Sequence, residues 1–262
     1  MYLLIAAIVF ALLVTMGLPI LVGIWFNKYL AVSWRVMTYG ILGYFIVQAL
    51  VTLLFSGILV LSDRVGLNLT EQSFFVTQLV ISIFLGAVLG VVIRWAAMRY
   101  IKEPLINLEA AYGIGIGYGG TESIIRVGLP LLFTFITMLS HINIDPQTST
   151  LDPEMIVQLE ALWQVPVFVP LVGSLERLAA FVMHLTVTIL ILKAFTRNNH
   201  LWLGAAIGLE LMTTGLVVGL AEAGLAYGWV VGLAVLLMVA NFYLLYLLNG
   251  FDFDITKANV EG

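Results

Sequence analysis

Seven apolar runs, each about twenty residues or longer, divide this chain, and no other feature restricts its fold as much. An α-helix rises 1.5 Å per residue, so about 20 apolar residues cross the ~30 Å hydrocarbon core of a bilayer. The runs cover residues 1–26, 36–61, 74–93, 106–140, 171–194, 201–220 and 229–248. They predict an all-α, polytopic transmembrane bundle of about seven spans. Composition agrees: 62% of residues are hydrophobic, 10% are charged, and the mean hydropathy is +1.10. Those values belong to integral membrane proteins rather than soluble domains.

No polar stretch in the 262 residues is long enough to fold outside the bilayer. We therefore expect one membrane-embedded helical domain over 1–250 and a short polar tail over 251–262. The first run has no basic leader region and no small-residue cleavage site, and it outlasts a signal-peptide core, which makes it an uncleaved span. Gly17-Leu18-Pro19 is expected to kink it. The run over 106–140 is too long for one straight crossing, so it should tilt, break near Pro130 or extend into solvent. A polar loop over 141–155, then Pro166 and Pro170, leads to the fifth span. There are no cysteines, which removes disulfides and thiolate chemistry together.

Basic residues orient the bundle. With the N-terminus outside and the C-terminus cytoplasmic, Lys28, Arg35, Arg94, Arg99, Lys102, Lys193, Arg197 and Lys257 fall on the cytoplasmic side and Arg64 alone outside. The remaining two of the eleven, Arg126 and Arg177, lie in or near the membrane. Trp25, Trp34, Trp95, Trp163, Trp202 and Trp229 fall near span ends, as an interfacial aromatic belt requires. Asn68-Leu69-Thr70 fits a glycosylation sequon. Net charge −4 argues against a nucleic-acid partner. The expected partners are membrane lipid and a membrane protein or peptide substrate, and the expected location is a cell membrane, that of a prokaryote.

Ionisable groups within the apolar runs are costly in lipid and mark functional positions. Glu122 on the fourth span, His184 on the fifth and Glu210 on the sixth each lie near the middle of their run, so packing can join them in one buried pocket. Arg126 follows Glu122 at i+4. On the fifth span Glu176, Ala180, His184 and Thr188 form an i, i+4 row with Arg177 beside it, and Thr214 follows Glu210 by four. Just before Glu122, the stretch GIGIGYGG places Gly113, Gly115, Gly117, Gly119 and Gly120 where neighbouring backbones can come close. Gly115 to Gly120 also spells GxGxxG, but no β-strand precedes it, which excludes a dinucleotide loop.

GYGGTESI, the later ERLAAFVMH with Glu-Arg seven residues ahead of a His, and the early GLPI resemble the YhfC family of glutamic-type intramembrane proteases. That family is related to the CAAX-protease and bacteriocin-processing group. The resemblance implies a bundle with a buried catalytic glutamate and histidine, which fall here on Glu122 and His184, with Glu176 and Arg177 as the preceding Glu-Arg. Two positions depart from the wider group: Thr121 stands where a second Glu is usual, and Glu210 with Thr214 stands where a further His and polar residue are usual.

Peptide hydrolysis in a membrane needs a water, a base to activate it and a donor for the oxyanion. Glu122 as base, His184 holding the water or donating to the oxyanion, and Glu210 orienting His184 or sharing a proton with Glu122 would supply these without a cofactor. The same His184, Glu122 and Glu210 form an alternative zinc set, although no HExxH motif is present. Two other classes remain open at this stage, a proton-coupled transporter using the same three groups and a catalytically inactive membrane scaffold.

Overall fold

The computed structural model describes residues 1–64, 71–101, 106–141, 152–222, 224 and 226–252. The sequon at 68–70, Lys102, the loop over 142–151 and the tail beyond residue 252, with Lys257, lie outside the described residues. Among those described, the chain is helical with no strand. Seven helices are long and apolar enough to cross a membrane: Tyr2–Leu30, Trp34–Ser62, Phe74–Tyr100, Leu108–Ser140, Phe168–Thr196, Leu201–Glu222 and Tyr227–Leu247. They are called spans 1 to 7. The protein is thus an all-α polytopic bundle.

Span 5 runs through the middle. From Phe181 to Leu192 every residue is buried, and the span packs against spans 1, 3, 4, 6 and 7. Apolar side chains gain little from leaving lipid for a helix interface, so close contact has to come from small residues. Span 4 supplies them on two faces rather than one. Gly113 and Gly117 face span 2, where a methyl group on Gly117 would lie 2.0 Å from the Met37 carbonyl oxygen and one on Gly113 2.8 Å from Val36. Two residues on, about 200° round the helix, Gly115 and Gly119 face Leu185, Thr188 and His184 of span 5. Gly120 rests against Pro19 of span 1. Span 4 is thereby clamped between spans 2 and 5, its backbone in contact with both.

Spans 1 and 4 are each interrupted by one π turn, Leu13–Gly17 and Ile124–Gly128, and each turn is followed by Leu-Pro. Proline has no N–H for the carbonyl four residues back, and widening the helix by one residue lets it continue. Span 4 therefore passes Pro130 without breaking. In span 1, near Pro19, the Thr15 carbonyl accepts from Ser123 Oγ at 2.8 Å. The two π turns touch each other there, with Gly128 against Met16.

Two expectations about the segments between spans need correction. The polar loop gives way at Pro153 to a helix, Pro153–Trp163, whose N-cap Asp152 accepts from the Glu154 N–H at 3.0 Å. Asp followed by Pro is a helix-start signal, and it overrides the polar composition. The third span does not stop at residue 93 but continues to Tyr100, which draws Arg94 inside.

Candidate active site

Glu122 stands one turn beyond Gly119, where the absence of a side chain leaves room for the imidazole of His184. A methyl group on Gly119 would lie 3.0 Å from His184 Cβ. His184 Nε2 lies 2.8 Å from Glu122 Oε2. The carboxylate approaches obliquely to the ring N–H direction, so the contact is close without being an aligned hydrogen bond. The other oxygen, Oε1, accepts from Arg126 at 3.1 Å and lies 3.7 Å from an Arg177 nitrogen. Arg126 is half-exposed, whereas His184 is almost wholly buried.

On the far side of the ring lies a group the sequence reading misplaced. Arg94, expected among the cytoplasmic basic residues, is completely buried and forms an ion pair with Glu210. Its Nε donates to the Gly90 carbonyl at 2.8 Å, and one terminal nitrogen lies 3.4 Å from His184 Nδ1. The guanidinium also sits 4.4 Å from the centre of the Tyr118 ring, itself 5.2 Å from the imidazole. Gly90 leaves space for this cluster, since a methyl group there would lie 3.1 Å from the Tyr118 hydroxyl and 3.3 Å from Glu210. A clue was available. Glu210 in mid-span needs a counter-charge, and Arg94 precedes a further half-dozen helical residues.

The three groups expected to share depth therefore do meet, in a definite order. Glu122 stands at Nε2 of His184, and the Arg94–Glu210 pair stands at Nδ1. Glu210 Oε1 is 4.0 Å from Nδ1, beyond hydrogen-bonding reach, so Arg94 rather than Glu210 touches the ring. The two carboxylates stand toward different nitrogens of the imidazole. On span 5 it is Arg177, not Glu176, that reaches Glu122. The i, i+4 row drifts by 40° at each step, while a spacing of seven returns to within about 20° of the starting direction, which aligns Arg177 with His184. Thr188 does not extend the site: its hydroxyl donates to the His184 carbonyl of its own helix at 2.7 Å. Thr214 lines a cavity of about 260 Å³ between spans 2 to 6, together with Gln48, Ser82, Gly86, Glu122, His184 and Glu210. A larger cavity, about 560 Å³, lies by Arg35, Tyr39 and Asn107 at the ends of spans 2 to 4 and shares no residue with this site.

The fold is that of an integral membrane protein with a glutamate and a histidine facing each other beside a buried cavity. The family model described as YhfC intramembrane metalloprotease matches residues 12–238, and the chain belongs to that family. Intramembrane proteolysis is the activity the family name carries. No curated protein matches the chain, and no solved structure does.

The "metalloprotease" of that name can be tested against the donors present. Among the described residues no group of three His, Cys, Asp or Glu side chains is placed to hold an ion. Glu122 and Glu210 lie on opposite sides of one imidazole and do not converge, and the Arg94, Arg126 and Arg177 guanidiniums surround them. Three fixed positive charges oppose a divalent cation, and one imidazole is a poor nitrogen supply for zinc. The residues described do not fit a resident metal.

Proposed function

We propose that the chain hydrolyses peptide bonds of membrane-embedded or membrane-proximal substrates by a glutamic-type mechanism, with Glu122 as base and His184 as its partner. The supporting observation is the 2.8 Å approach of Glu122 Oε2 to His184 Nε2 in the lining of a cavity large enough for water. In this reading a water from the cavity binds beside the pair, within reach of Glu122 Oε2. Arg126 and Arg177 occupy Oε1, leaving Oε2 as the oxygen that takes a proton while the water oxygen attacks the scissile carbonyl carbon. The oxyanion that forms receives a hydrogen bond from His184 Nε2–H. Glu122 then passes its proton to the leaving nitrogen as the C–N bond breaks, which restores the carboxylate. The near-complete burial of His184 strengthens its hydrogen bond to the oxyanion.

The test is cleavage of membrane peptides by the purified protein in lipid. Glu122→Gln keeps the size and removes the base, so turnover should fall by about 10²- to 10⁴-fold. Undiminished cleavage would sink the mechanism. Proton-coupled flux in the same vesicles, lost in Glu122→Gln without any peptide cleavage by wild type, would point instead to the transporter.

A further inference from the structure

Arg94 belongs to neither motif that relates the chain to its family, yet it is the most deeply enclosed charge in the site. We propose that Arg94 is a positioning residue that holds His184 in the Nε2–H tautomer, and so divides the chemistry between Glu122 as the only base and His184 as the hydrogen-bond donor. This rests on the reading of the Glu122–His184 pair given above.

A guanidinium has five N–H donors and no acceptor. The nitrogen 3.4 Å from Nδ1 can only donate, so Nδ1 must offer its lone pair. In a neutral imidazole the proton then sits on Nε2, the atom that faces Glu122. A donor at Nε2 suits a carboxylate in the resting site and an oxyanion during reaction. It also means that His184 has no free lone pair on the substrate side, which leaves base catalysis to Glu122.

The guanidinium is held from four directions, a geometry a flexible surface arginine would not have. Nε donates to the Gly90 carbonyl at 2.8 Å, one terminal nitrogen pairs with Glu210, the other faces Nδ1, and the plane lies 4.4 Å over Tyr118. Glu210 thus has a role that does not require contact with the ring: it fixes the arginine that fixes the tautomer. A lysine could keep the charge pair with Glu210, but its ammonium is a compact charge on a flexible stem and cannot reproduce the planar fork that joins Glu210 to His184.

The protein has three histidines, so replacing His141 and His200 by Gln leaves His184 as the only imidazole. Nitrogen-15 NMR of that protein in detergent, labelled at histidine, should show a protonated Nε2 beside an unprotonated Nδ1. In the same background Arg94→Lys should mix the two tautomers and lower kcat by 10²- to 10⁴-fold, the range for losing acid–base catalysis, with KM within about twofold. If Arg94→Lys does not fold, Arg94→Met combined with Glu210→Gln removes both charges without stranding either, and should mix the tautomers in the same way. A proton found on Nδ1, or a tautomer unchanged in every folded Arg94 variant, would overturn the proposal. The NMR readout needs no turnover, so failure of the protease reading would appear separately, as a wild-type protein with the Nε2–H tautomer and no cleavage of any membrane peptide.

Discussion

Glu122 and His184 meet at 2.8 Å because their two helices touch through Gly119, a position where even one added carbon would press on the imidazole. The site therefore depends on glycine packing as much as on the residues that would carry the chemistry. Span 4 is pinned from both sides, and a change on either face should be felt at Glu122.

Gly117→Ala should lower the thermal stability of the protein in detergent by about 1–3 kcal/mol, the cost of overpacking a tight contact. Its added carbon would fall 2.0 Å from the Met37 carbonyl oxygen, a backbone atom that cannot swing aside. Gly204→Ala is the control. That position meets nothing within 4 Å, so alanine there should be neutral or slightly stabilising through helix propensity. Equal melting temperatures for the two variants would contradict the clamp.

The two glutamates should differ in what their loss damages. Glu210→Gln leaves Arg94 fully buried without a counter-charge, and breaking a buried pair in this way costs about 3–5 kcal/mol. Glu122→Gln leaves Arg126 half-exposed and able to rehydrate and Arg177 only partly enclosed, so it should cost less than Glu210→Gln, about 1–2 kcal/mol. Unfolding both variants in denaturant ranks them. A Glu122→Gln protein less stable than Glu210→Gln would mean that the Arg94–Glu210 pair is not the buried tie described here.

The basic residues predict an orientation that labelling can check. With Arg94 now inside the bundle, seven remain on the expected cytoplasmic side against Arg64 outside. The chain lacks cysteine, so single cysteines report without background. One at Asn199, between spans 5 and 6, should react with an impermeant reagent only from the cytoplasmic side, and one at Gln164, ahead of span 5, only from outside. The opposite labelling pattern would invert the topology.

Metal content is a direct check on the donor set. Purified protein should carry less than stoichiometric zinc by elemental analysis, and cleavage should survive a strong chelator. One zinc per chain, released by His184→Gln or Glu210→Gln, would establish the metalloprotease chemistry that the family name states.

Much of this protein can be read along its length. Seven helices, their approximate ends and the placement of Glu122, His184 and Glu210 within three of them follow from where apolar residues run uninterrupted, because the bilayer imposes a cost on every unpaired polar group. Prolines 19 and 130 and the glycines before Glu122 were likewise visible as places where the helices would deviate or approach. Partner choice was not. That Arg94 turns inward to Glu210, that Arg177 rather than Glu176 reaches Glu122, and that the two carboxylates take opposite sides of one imidazole depend on how far each helix is rotated about its axis. Hydropathy averages over that rotation. Only the packing of spans 2 to 6, with span 4 held by its glycines against spans 2 and 5, decides it.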